Sequence, residues 1–331
     1  MNNKSKISGT TTRTITLEEH FATPAFIEGP GRQHKERPQS ALLIEQLCDL
    51  GDRRIADMDD GGIDVQVLTL VAPGVDQLDA AEAIEMARDI NDILADAVQR
   101  HPSRFVGFAN LATAAPDTAA DELERMVREH GFKGGLINGH TQGRYLDDAF
   151  FWPILERAEA LHVPLYLHPT RPPQPVVDAS YTGNFSAKVT ERLATAGWGW
   201  HIETAIHVLR IILSGALDRY PRLQIIIGHL GEALPFMLPR INRNLPTELT
   251  KLDRSLGAYL RENLYYTVSG FNFLAPFLDL LLEVGVERIM FSADYPFGSN
   301  SAACTFLDQI PVSPADRERI AHENAELLLR L

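Results

Sequence analysis

The residues of this chain best equipped for chemistry stand where apolar runs end. Glu18-x-His20 follows Thr14–Leu17, Asn138 follows Gly135–Ile137, and His168 follows Pro164–Leu167. His229 comes just after Leu223–Ile227, Ser269 after Leu264–Val268, and Asp294 just after Ile289–Ser292. His20 and His168 with Glu18 and Asp294 supply the nitrogen and oxygen donors that hold a divalent metal, and His229 is left over as an acid or base. Each residue also has a plainer explanation. An ExH tripeptide is common, and a histidine or aspartate can end a strand through hydrogen bonds alone. Taken together the plainer explanation weakens, because it must place several polar groups independently behind apolar neighbours.

The runs themselves predict the elements that position these groups. Thr14–Leu17, Val65–Val71, Phe105–Ala109, Gly135–Ile137, Pro164–Leu167, Leu223–Ile227, Leu264–Val268 and Ile289–Ser292 are short and apolar, several of them rich in β-branched residues, and they alternate with stretches of helical period. That order predicts parallel strands joined by crossover helices. Eight such units predict one α/β domain, a single (β/α)8 barrel over residues 14–331, whose chemistry gathers at the C-terminal ends of its strands. A doubly wound open sheet is the alternative. Against it, Glu18-Glu19-His20-Phe21 follows the first strand where a dinucleotide fold needs a glycine-rich turn.

Among the helices, 41–59 carries Leu43, Ile44, Leu47, Leu50, Ile55 and Met58, with Gly51 as a break or cap, and 79–100, 117–130 and 200–217 follow. Ser313-Pro314 marks the start of a final helix reaching the C-terminus. The segment 169–197 is too long for an ordinary connection and reads as a lid or subunit contact.

Composition narrows the function. The 331 residues are 45% hydrophobic and 23% charged, which excludes disordered and collagen-like chains. With 31 Lys and Arg against 44 Asp and Glu the net charge is −13, a poor match for nucleic acid or an anionic membrane. Cys48 and Cys304 form no disulfide framework or zinc spacing. Residues 1–13 read as a flexible polar tail, and no apolar stretch is long enough to span a bilayer, so a cytoplasmic protein is expected.

Of the other candidates, His34, His101, His130, His162 and His322 read as surface residues, and His140 as a loop hydrogen-bonder. His201 and His207 fall on the 200–217 helix. Arg240 is a surface arginine or a carboxylate clamp. Phe21, Trp198, Trp200, Tyr295 and Phe297 suit a flat aromatic ligand or plain packing.

The stretches Leu17-Glu18-Glu19-His20-Phe21, Tyr166-Leu167-His168-Pro169, Ile227-Gly228-His229-Leu230-Gly231-Glu232 and Phe291-Ser292-Ala293-Asp294-Tyr295-Pro296 resemble the amidohydrolase superfamily. Within it they resemble the nonoxidative decarboxylase branch acting on γ-resorcylate, 2,3-dihydroxybenzoate and 5-carboxyvanillate. The resemblance implies that Glu18, His20, His168 and Asp294 hold one manganese or zinc ion, with no organic cofactor. It also implies that His229 and Glu232 relay protons, that Asn138 touches the substrate, and that Arg240 meets its carboxylate or a ring hydroxyl. On the residues themselves, Phe21 and Phe297 are the aromatics expected against the ring, and Asp294 or His229 the group that delivers its proton. Asn138 stands where two-metal branches carry a bridging lysine, so one metal is expected. The stretches 49–78 and 137–151 look most like 5-carboxyvanillate decarboxylase, whereas Glu18-x-His20 looks like the γ-resorcylate type and 169–197 matches neither. The expected partner is a small ortho-hydroxy aromatic acid, and the expected assembly a homodimer or homotetramer. A metal-dependent lactone or ester hydrolase would use the same residue types, and a barrel kept as a scaffold is a third reading.

Overall fold

The computed structural model describes residues 12–37 and 39–331. Residues 1–11 of the expected tail lie outside the described residues. Thr12 and Arg13 are held by the C-terminal segment, Thr12 Oγ1 donating to Glu318 at 2.7 Å and Arg13 pairing with Glu326.

The strands are β1 (Ile15–Phe21), β2 (Val65–Leu70), β3 (Phe105–Gly107), β4 (Ala109–Asn110), β5 (Gly135–Asn138), β6 (Leu165–His168), β7 (Ile225–Ile227), β8 (Leu264–Thr267) and β9 (Ile289–Met290). Each pairs in parallel with its neighbour, in the orders β1-β2-β3 and β4 through β9. β3 and β4 are two halves of one strand. Phe108 between them donates its N–H back to Leu68 (3.2 Å), and Ala109 donates forward to Gly134 (2.8 Å). At the other seam Leu17 N–H reaches Phe291 O (3.2 Å) and His20 N–H reaches Tyr295 O (2.7 Å), which closes the barrel. The eight staves are those expected from the apolar runs. Nearly every strand residue is buried, because a barrel strand has side chains on one face and helices on the other.

The helices wrap this core. Asp79 caps Ala80–Arg100 by accepting the Glu82 N–H at 3.1 Å, and that helix buries Ala83, Ala87, Ile90 and Leu94 along one stripe. The 41–59 stretch is two helices, Ser40–Cys48 and Asp52–Gly61, with the break at Gly51 that the sequence allowed. The C-terminal helix starts at Pro314 behind Ser313, as expected, and then widens into a π-turn at Arg319–Glu323 before Asn324–Leu329. Residues 169–197 are not an open loop. They form Gln174–Ser180 and Ala187–Ala194, which bury Val177, Tyr181 and Ala194 in a small cluster of their own.

Candidate active site

β1 sets the geometry. Its pairing register slips between Leu17 and Glu19, and Glu18, the extra residue with φ 75°, is turned to the barrel mouth beside His20. Glu19 and Phe21, on either side of His20, point away. Phe21 is 0% exposed within the core and has no surface to offer a ligand, which corrects its expected place beside the substrate. Glu19 instead accepts the N–H groups of Ala293 (2.8 Å) and Tyr295 (2.9 Å), one on each side of Asp294. Burial pushes its carboxyl up to about 8 against those bonds. Arg54, fully buried, donates to the carbonyl of His20 (2.7 Å) and lies 4.9 Å over the ring of Tyr295, whose hydroxyl donates to Asp57.

The two oxygens of Glu18 are used differently. Oε2 accepts from Tyr166 and Ser269, with Thr267 Oγ1 at 3.4 Å, and these hydroxyls anchor it from below. Oε1 is buried without a hydrogen-bond partner, 3.2 Å from His168 Nε2 and 3.8 Å from His229 Nε2. Gly228 makes room for this cradle, since a Cβ there would stand 2.4 Å from Glu18 Oε2. His20 is held through Nδ1 by Thr69 Oγ1 (3.2 Å), so that Nε2 faces Asp294 Oδ1 at 3.2 Å. Donor atoms of Glu18, His20 and His168 all lie within 4.8 Å of one another.

Electrostatics sort the groups. Burial would raise Glu18, but His229, His168 and His20 hold it below the usual carboxylate range. Burial lowers His20 to about 4 and also lowers His168, so both rings are neutral with lone pairs free to bind a cation. Burial, reinforced by the charge of Glu18, raises Asp294 to about 8. An orphaned carboxylate oxygen beside two neutral imidazoles, that of His20 held in its ring plane by Thr69, fits a divalent ion.

Behind His168 lies a second set. Glu232 Oε1 accepts from His229 Nδ1 (2.8 Å) and Oε2 from His201 Nδ1 (2.5 Å). Burial opposes the charge on His229, yet Glu232 and Glu18 push it up to about 10, and Glu232 is correspondingly lowered by His229 and His201. Phe271 packs on both histidines, with ring centroids 5.2 and 5.0 Å away. Glu18, His229, Glu232, Ser269 and Asp294 all have φ between 46° and 75°. Left-handed backbone at five non-glycine residues costs about 1–3 kcal/mol each, and such strain gathers where side chains are aimed for function.

The remaining candidates divide. Asn138 stands in register with His168 at the ends of β5 and β6. Phe297, 38% exposed, packs its ring edge to face with His20 at 5.7 Å, and the guanidinium of Arg37 lies 4.9 Å over it. Arg37 carried no signal in its own sequence neighbourhood. His34 is buried rather than on the surface, with Nε2 2.8 Å from Ala72 O and its ring beside Phe297. His140 bonds Gly143 N–H (3.0 Å) and Arg171 O (3.1 Å), the loop role expected of it. Arg240 is exposed on Leu234–Asn244, and among the described residues it joins no ion pair. Among the described residues nothing brings it to the mouth.

A parallel α/β barrel with a carboxylate and two neutral histidines around one open point is a barrel enzyme with a candidate metal centre. The amidohydrolase family model matches residues 45–331, and the chain belongs to that family. It is 41% identical to the γ-resorcylate decarboxylase of Polaromonas sp. (strain JS666) over 330 residues, 96% of this chain and 98% of that protein. Among solved structures it is similar to a dihydroxybenzoic acid decarboxylase from the same Polaromonas strain with bound manganese and 2-nitroresorcinol, at TM-score 0.88 and 38% identity over 97% of both chains. It is also similar to 5-carboxyvanillate decarboxylase from Novosphingobium aromaticivorans with bound manganese and 3-methoxy-4-hydroxy-5-nitrobenzoic acid, at TM-score 0.89 and 34% identity over 97% of both chains. Among the described residues, no helix is long and apolar enough to cross a membrane.

Proposed function

We propose that this chain is a metal-dependent, nonoxidative decarboxylase of ortho-hydroxylated aromatic carboxylic acids. The observation that carries the reading is Glu18 Oε1, buried and unpaired beside His168, while Oε2 is fully engaged. Glu18, His20 and His168 would hold a manganese or zinc ion, with Asp294 at its edge. When bound, the ion supplies positive charge against the substrate's carboxylate and neighbouring phenolic oxygen. Its relatives' names and bound ligands support an aromatic acid as substrate.

The chain's own groups move the proton. Asp294, 20% exposed at its side chain, faces the opening next to His20 and gives a proton to the ring carbon that bears the carboxylate. The carbon–carbon bond then breaks, its electron pair returns to the ring as aromaticity is restored, and carbon dioxide leaves. Asp294 is reprotonated from solvent through His229, whose charge Glu232 and Glu18 sustain. Phe297 with Arg37 forms one wall of the pocket, apolar to the ring and cationic to a carboxylate. Residues 14–331 would act as one unit, in the cytoplasm and as a homo-oligomer.

Incubating the manganese-loaded protein with a panel of ortho-hydroxybenzoates and lactones tests the reading. Carbon dioxide and the matching phenol are the expected products; lactone opening without carbon dioxide would move the function to hydrolysis.

A further inference from the structure

Asn138 lies beside a buried carboxylate that the reaction does not use. Asp76, 1% exposed on the turn after β2, accepts the backbone N–H of Asn138 on Oδ2 (3.3 Å) and the Thr113 hydroxyl on Oδ1 (3.0 Å). Thr113 is shared in turn with Thr141 at 2.6 Å. The side-chain Nδ2 of Asn138 lies on the same side, against the Gly74 turn that carries Asp76. Gly74 makes room for both groups, since a Cβ there would fall 2.2 Å from Nδ2 and 2.8 Å from Asp76 Oδ2, so Nδ2 is the amide atom turned toward Asp76. A backbone N–H can only donate, so Oδ2 stays an acceptor whether or not Asp76 carries a proton on Oδ1. The amide cannot turn over without setting its oxygen against another acceptor. Its Oδ1 is left buried with no partner, on a residue in register with His168 and so on the same face of the sheet.

We propose that Asp76 is a positioning residue that fixes the Asn138 amide with its oxygen as an acceptor in the pocket, so that the site selects an aromatic acid with a free hydroxyl there over one with an ether. The inference rests on the decarboxylase reading for its substrate class. A phenolic hydroxyl donates to the waiting oxygen, whereas a methoxy group has no proton to give and leaves it unpaired.

The test compares 2,6-dihydroxybenzoate with its mono-O-methyl ether on the manganese-loaded protein, by calorimetric binding as well as by turnover. The wild type is expected to prefer the dihydroxy acid by about tenfold or more, as for other sites built to bond a hydroxyl. Asp76→Leu should bring the two to within about twofold with metal content unchanged, and Asp76→Asn, whose amide oxygen still accepts from Asn138, should keep the preference. An unchanged preference in a folded, metal-loaded Asp76→Leu overturns the proposal. If that variant does not fold, Gly74→Ala wedges the same amide without altering Asp76, and a full preference there overturns it equally. Preferential binding of the dihydroxy acid without carbon dioxide release would sink the decarboxylase reading and leave this one standing. Carbon dioxide release with equal affinity for both acids would do the reverse.

Discussion

Two three-residue clusters lie side by side in the mouth of this barrel, and both bring a carboxylate and two histidines within ligand range. They differ in what the carboxylate has left to give. In the first, Glu18 spends one oxygen on hydroxyls and leaves the other bare before histidines whose burial keeps them neutral. In the second, Glu232 spends both oxygens on His229 and His201, and the pairing holds a positive charge on His229. An open anion with neutral imidazoles invites a cation, whereas a closed, charged set repels one and suits proton transfer. Counting donors within a radius does not separate the two; counting free lone pairs does.

Asp294 stands at the edge of the first cluster, and its loss should have the largest effect. Asp294→Asn is expected to lower kcat by about 10³-fold while metal content stays near that of the wild type. Turnover within tenfold of wild type would remove it from the proton-transfer role. His168→Ala should weaken metal affinity by at least about 100-fold, the upper range for loss of even an outer partner, with activity partly recovered at high manganese. Full metal occupancy in that variant would erase the distinction between the clusters. Glu232→Gln should sharpen it from the other side, lowering kcat by about 10–100-fold with metal content unchanged. If the Gln variant loses its metal, the second cluster is part of the metal site.

The smallest effect concerns the helix that carries His201. His207, six residues on, accepts the Leu146 N–H on Nε2 at 2.9 Å, and burial lowers it to about 3. Unfolded, it takes a proton near pH 6.5, so between about pH 6.5 and 3 the unfolded chain binds the extra proton. Its stability contribution is complete above that window and is lost as pH falls through it, by at most about 1.4 kcal/mol per pH unit. His207→Gln keeps an acceptor but cannot titrate, and its denaturation curves should show an acid limb shallower by about one proton. An unchanged limb would place the acid sensitivity elsewhere.

The first cluster was far more legible in the sequence than the second, for reasons of geometry. Glu18-x-His20 shows itself as a polar pair closing an apolar run, although it is a bulge at Glu18 that brings the two to one mouth, and His168 and Asn138 show themselves because strand period and parallel register end them together. The same period would have exposed Tyr166, two before His168, and Thr267, two before Ser269, as polar residues lining the barrel under Glu18. It also rules out Phe21, one residue from His20. His201 gave no such signal. It reaches Glu232 from a helix that follows 169–197, and the placement of that helix on the barrel is settled by tertiary packing. His34 and Arg37 reach Phe297 through a turn whose path no periodicity describes. Arg240 is the converse case: its type suggested a clamp, and its helix leaves it exposed.

The central claim is that the open cluster holds a metal on which decarboxylation depends. The direct measurement follows carbon dioxide release from 2,6-dihydroxybenzoate as chelator-stripped protein is titrated with manganese or zinc. Activity should be absent in stripped protein and rise linearly to a break at about one ion per chain, as for tight binding by one three-donor site. Undiminished release from metal-free protein, or a saturated site with no release, would contradict it.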